Sequence, residues 1–443
     1  MSQHAKPEGP TKVAYTNARL LDPASGLDAV GGVLVDGNRI VELGPGLFRD
    51  GVPEDARTMD CAGLCLAPGL VDMRAQLGEP GREHKETISS AGRAAASAGI
   101  TSIACLPTTD PVIDDVAGLE FVARRARETK LVKVYAYGAL TRGCAGEQMT
   151  EIGLLSEAGA VGFTDGNRPI ANAQTLRRCL AYASVFDTVI LQHPLEPTLA
   201  TGAMNGGALA TRLGLSGSPA MAELIQVERD LRLVEMTGGR YHASLISTGA
   251  ALDAVRQAKA RGLRVTCDTA PHYVTLTEDA VGDYRTFAKV NPPLRRGFDR
   301  QALIDGLADG TIDAIVSDHD PQDQDSKRLP FTAAEDGIAG LETLFALSLE
   351  IAHAGRVGLL DLLARVTCKP ADILGLDAGR LRAGAPADMI LFDPDRAWTI
   401  DPDRFLGKCK NSPFDAWPAR GRVVRTIVDG RTIYAETPAD AAA

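Results

Sequence analysis

Nine polar residues close the short β-branched runs of this chain: Arg74, Gln76, Thr108, Asp110, Asp165, His193, His272, Asp318 and His319. The apolar Leu245 occupies a tenth such place. Histidines and carboxylates at these points are the residue types that bind metals or move protons, whereas Arg and Gln are not usual ligands of a catalytic metal. The stretch PGLVDMRAQLGEPG (68–81) is therefore distinctive for delivering Arg74 and Gln76 first. No G-x-S-x-G elbow, Walker-type phosphate loop or H-E-x-x-H pair competes with this set.

The elements that must position these residues follow a strict alternation. Apolar runs at 64–71, 100–107, 132–140, 160–165, 188–193, 240–248, 263–272 and 312–320 are separated by helical stretches such as GLEFVARRARETK, PAMAELIQVERDLRLVEMTGG and ALDAVRQAKARG, the last two ending on Gly in the manner of a helix C-cap. Alternating strand and helix imply a parallel sheet, and eight such units imply a closed (β/α)₈ barrel with its chemistry at the strand exits. Outside this core, Val13–Met59 and Ala387–Ala435 carry the grammar of small hairpins. The expected fold class is α/β: a TIM-like barrel over residues 67–386, with a small composite β-sandwich domain built from 1–66 and 387–443. The last residues, TPADAAA, read as a frayed tail.

Composition sets the outer bounds. In 443 residues the formal net charge is -10, which argues against a general binder of nucleic acid or anionic membrane. No apolar run has membrane-spanning length, and the opening MSQHAKPEGPTK lacks the apolar core of a signal peptide. The cytoplasm is the expected location. Eight thinly spread cysteines read as reduced core thiols, and Cys61 with Cys65 has no second pair behind it to make a zinc knuckle.

On its motifs the chain resembles the dihydroorotases of the amidohydrolase superfamily. The likeness is carried by LAPGLVDMRAQLGEPGREHKETISSAGRAAASAGITSIACLPTTDPVIDD, MNGGALATRLGLSGSPAMAE, FAKVNPPLR, ADGTIDAIVSDHDP and GLETL, and spans nearly the whole sequence. It implies a binuclear centre, usually zinc, that activates a hydroxide to open the dihydroorotate ring. The chain departs from that pattern at the ligands themselves. Where the family has His-x-His there is Arg74-Ala75-Gln76; the bridging carboxylate position falls on Gly166; and the second His of the sixth-strand motif is Leu245. His193 and Asp318 are the retained ligand positions. Among substrate contacts Asn291 is kept, while the carboxylate-binding Arg is Gly78 and a further His is Gln322.

One imidazole and one carboxylate fall short of the three protein ligands of even a mononuclear catalytic zinc. No working metal site and no cofactor are therefore expected. Arg74 is expected to stand where a dication belongs and to pair with Asp318, whose family role as acid and base becomes vestigial. His193 is expected to be packed rather than ligating, His242 and His272 structural, His84 and Lys85 helix-entry or packing residues, Cys105 and Cys267 core thiols, and the run 320–328 a solvated mobile loop. The reading is a non-catalytic dihydroorotase-like subunit of de novo pyrimidine synthesis. The resemblance implies aspartate transcarbamoylase as its partner in a hetero-oligomer. The alternative is an active cyclic-amide hydrolase with a reduced, mononuclear or metal-free, site.

Overall fold

The computed structural model describes residues 12–437. The barrel strands are β1 (Leu70–Ala75), β2 (Ile100–Cys105), β3 (Lys133–Ala136, continued by Gly138–Ala139), β4 (Phe163–Thr164), β5 (Val189–Gln192), β6 (Arg240–Ala243), β7 (Val265–Thr269) and β8 (Ala314–Ile315). They pair in parallel in that order. The ring closes where Ala75 bridges His319 and the Gln76 N–H donates to the His319 carbonyl at 2.7 Å. Leu70, Ile103, Phe163, Ile190, Tyr241 and Ile315 are fully or nearly fully buried, as parallel strands covered by helices require.

The first helix, Ile88–Ser97, shows how local sequence fixes the frame. Thr87 and Ser90 form a reciprocal capping box at its start. Its buried face is mostly alanine (Ala91, Ala94, Ala95), small enough to bring the helix close against the barrel. Thr426 then donates from the β domain to the Ala96 carbonyl at 2.6 Å, joining the helix to the neighbouring sheet.

Both chain ends build one continuously hydrogen-bonded sheet. Its order is 431–435, 418–428, 389–399, 65–68, 12–22, 27–36, 39–44, with 56–60 pairing on 12–22. Tyr15, Leu20, Val35, Leu66, Leu391 and Ile427 form its core. One sequence expectation is corrected here. Residues 64–71 are not a single strand: Cys65–Pro68 pairs with Met389–Phe392 in the β domain, and β1 begins afresh at Leu70. The break is at Gly69, where a Cβ would lie 2.2 Å from the Thr101 side chain, so only glycine lets the chain pass from sheet to barrel. The expected tail falls outside the described residues except for Thr437.

Candidate functional site

β1 and β8 meet at the seam of the barrel, and two residues of β1 hold that seam. Asp72 accepts from the Ser317 N–H at 3.0 Å and from the Ser317 hydroxyl, which fixes the chain entering Asp318. Burial lifts the Asp72 carboxyl to about 6. Asp318 itself sits at φ +47°, a left-handed conformation that Asp tolerates better than most residues.

Arg74 occupies the centre of the mouth and is 1 % exposed. Its Nε donates to Asp318 Oδ1 at 3.1 Å, its Nη1 to Ser244 Oγ at 3.3 Å, and its Nη2 to Asn167 Oδ1. One guanidinium thus ties together the exits of β1, β4, β6 and β8. The network continues on both sides. Ser244 Oγ donates to Asp268 Oδ2 at 3.2 Å, and that carboxylate also lies 2.8 Å from His242 Nε2 and accepts from the Leu245 N–H at 2.6 Å. On the other side Asn167 Nδ2 reaches Asp320 at 3.5 Å, Gln322 Nε2 donates to Asp320 at 3.0 Å, and Lys85 Nζ donates to Gln322 at 2.5 Å. Charge-assisted bonds of this kind are the strong ones, and breaking one end would strand a buried charge.

Burial pushes the Asp318 carboxyl up to about 7; Arg74 opposes that shift and Asp320 adds to it. His272 Nε2 stands 3.7 Å from Asp318 Oδ2. His193 and His272 are both buried, complete no hydrogen bond through either ring nitrogen, and are pushed down to about 3 by that burial, helped at His193 by the Arg74 charge. Both imidazoles are therefore neutral in the mouth.

The remaining sequence candidates distribute unevenly. Gln76 accepts from the Thr108 hydroxyl at 3.1 Å, beside the network rather than in it. Asp110 is exposed. Asp165 turns away from the mouth and accepts from the Thr141 N–H at 2.9 Å and hydroxyl. Gly166 adopts φ +65°, and a Cβ there would lie 2.6 Å from Thr108 Cγ2. Leu245 is fully buried at φ +60°. Asn291 is half-buried beside His193. Gly78 has φ +67°, and a Cβ would meet the Glu86 and Arg82 carbonyl oxygens at 2.6 and 2.8 Å. Any longer residue there needs a different loop. His319 faces Glu86 at 3.6 Å instead of Asp318. His242 Nδ1 lies 2.8 Å from Thr266 Oγ1, and burial raises the Cys105 thiol to about 12 and the Cys267 thiol further.

Two expectations need correction. His272, expected to be structural with nothing nearby to complete a constellation, stands 3.7 Å from Asp318, because the short helix Pro271–Thr275 turns it back. The run 320–328 is not a solvated loop, because Asp323 caps a short helix at Gln324–Lys327 and Gln322 and Lys327 are buried. Sequence reasoning also missed Asn167 and Ser244 as partners of Arg74. Only their position beside strand exits signals them, since neither is a usual metal ligand.

Residues 63–251 match a family model described as "Dihydro-orotase-like". A dihydroorotase of Wolbachia sp. subsp. Drosophila simulans is 46% identical over 428 residues, covering 96% of both chains, and one of Syntrophotalea carbinolica is 44% identical over 96% of this chain and 99% of its own. This chain belongs to the dihydroorotase family. Its fold is shared with the L-hydantoinase of Arthrobacter aurescens (TM-score 0.84, 24% identity, 95% of each chain) and the dihydropyrimidinase of Brevibacillus agri (TM-score 0.82, 21% identity, 95% and 94%).

The zinc that a dihydroorotase family member implies can be tested against these side chains. Among the described residues no three His, Cys, Asp or Glu side chains are grouped to hold a metal ion. A guanidinium, which cannot ligate, fills the space between Asp318, Ser244 and Asn167. The donor set does not fit the family's metals.

Proposed function

We propose that this dihydroorotase-family protein serves de novo pyrimidine synthesis as a non-catalytic structural subunit of aspartate transcarbamoylase. The observation that carries the reading is the burial of Arg74, bonded to Asp318, Ser244 and Asn167, where the family places metal. A permanent cation in that place repels a dication and occupies the carboxylate that would act as acid and base. Gly78 supports it from the substrate side, since the loop that packs on it leaves no room for the Arg that grips dihydroorotate in the family. The partnership rests on the resemblance, and the retained barrel and β domain are the surfaces such a subunit would offer.

The test is metal analysis of the purified protein, with a dihydroorotate hydrolysis assay and co-purification with the transcarbamoylase. Expected are substoichiometric zinc, no turnover, and loss of transcarbamoylase activity when this chain is withdrawn. Near-stoichiometric zinc with turnover sinks the reading.

A second reading has its own support. Relatives 44–46% identical are named dihydroorotases, and Asp318, at about 7 beside neutral His272, is poised for proton transfer near neutrality. In that case hydrolysis proceeds without zinc and Asp318→Asn abolishes it.

A further inference from the structure

Helix Val116–Thr129 lies outside β3, yet it buries only Leu119 and Val122. Between this helix, β3 and the turn Val428–Arg431 of the β domain lies a recess of about 510 Å³. It opens beside the N-terminal ends of β3 and β4, the end of the barrel opposite Arg74. Leu119, Ala126, Val132, Val134 and Val428 give it apolar walls.

Its rim is cationic. Lys133 is neutralised by Asp388 at 2.7 Å and Asp429 at 2.8 Å. Arg127, Lys130 and Arg431 line the same recess, and among the described residues their side chains have no ion pair or hydrogen bond. The negative end of the helix accounts for cations at Arg127, in its last turn, and Lys130, at its C-cap. It does not account for Arg431, which comes from the other domain. Three cations without an ion pair around one apolar recess, against the single carboxylate that Asp388 and Asp429 leave in excess of Lys133, run against the net charge of -10 of the whole chain. The volume falls in the range of small-molecule sites, whose walls are apolar with a few polar groups fixing orientation.

We propose that this recess binds a small amphiphilic anion, an apolar chain carrying one carboxylate or phosphate head. The chain lies against Leu119, Ala126 and Val134, and Arg127, Lys130 and Arg431 meet the head. Calorimetric titration of the full chain with decanoate, kept below its micelle concentration, and with decanol tests this. Expected are one saturable decanoate site, at least tenfold weaker decanol binding, at least tenfold weaker decanoate binding in Lys130→Glu/Arg431→Glu, and no binding in Ala126→Trp with an unchanged melting curve. Absent decanoate saturation, equal binding of decanol, or binding indifferent to both variants overturns the proposal. Co-sedimentation with phosphatidylglycerol vesicles without binding of free decanoate also overturns it, because the cations would then serve a lipid surface and not the recess.

Discussion

Arg74 and Asp318 form a buried pair, and pH acts on it through the carboxyl. Asp318 holds its proton to about 7 in the fold against an ordinary value of 3.8, so the folded state binds a proton the unfolded chain releases. Its contribution to stability is full below about 4 and is lost as pH rises through about 7. Arg74 is the cation that restrains this shift. In Arg74→Met the Asp318 carboxyl moves higher still. The substitution should cost about 1–3 kcal/mol at pH 6, from unmade hydrogen bonds, and the cost should grow above pH 7 by about 1.4 kcal/mol per unit. Urea unfolding at pH 6 and 8.5 measures this, and a cost independent of pH would refute the pairing energetics. Gly78 yields a steric prediction. Gly78→Arg forces a side chain against the 82–86 backbone at positive φ, so it should destabilise the fold and leave dihydroorotate unbound, which calorimetry and unfolding together would check.

At the scale of elements, alternation was enough to read the barrel, because most of its strands are buried on both faces and helices such as Met221–Thr237 end on a left-handed Gly. The break at Gly69 was not legible, since the residues on either side are equally buried in two different sheets. The Arg74–Asp318 pair was legible because β1 and β8 are neighbours in any closed eight-stranded ring. Asn167, Ser244 and His272 were not, because loops and a short helix, and not strand direction, turn them inward. The segment 320–328 misled for a related reason: its charges satisfy backbone groups that only tertiary structure brings near. Lys327 Nζ donates to the carbonyls of Glu335 at 2.7 Å, Thr286 at 3.1 Å and Lys289 at 3.3 Å, and burial lowers it to about 8. Lys327→Met leaves those oxygens unpaired. It should cost about 1–3 kcal/mol and speed amide exchange at 286–290 and 335–337 while exchange at β1–β8 is unchanged. Unaltered exchange across the two loops would show that the lysine does not anchor them.

For the whole molecule, the question is what braces the barrel at its seam. Arg74 reaches across to residues at three other strand exits, and Asp72 staples β1 to the residue before Asp318. These are side-chain bonds within the chain, so stability should be indifferent to chelator. Scanning calorimetry of the wild type with and without EDTA should give midpoints within about 1 °C, whereas Arg74→Met should lower the midpoint. Unfolding entropy scales with chain length at about 2 cal/mol/K per residue, so a 3 kcal/mol loss corresponds to a fall of roughly 3 °C in a chain of this size. The two measurements separate the alternatives cleanly. A chelator-induced fall of several degrees would mean that a bound ion carries part of the fold. A midpoint unmoved by Arg74→Met would mean that the β domain and the helix shell hold the barrel closed and that the guanidinium serves only to fill the mouth.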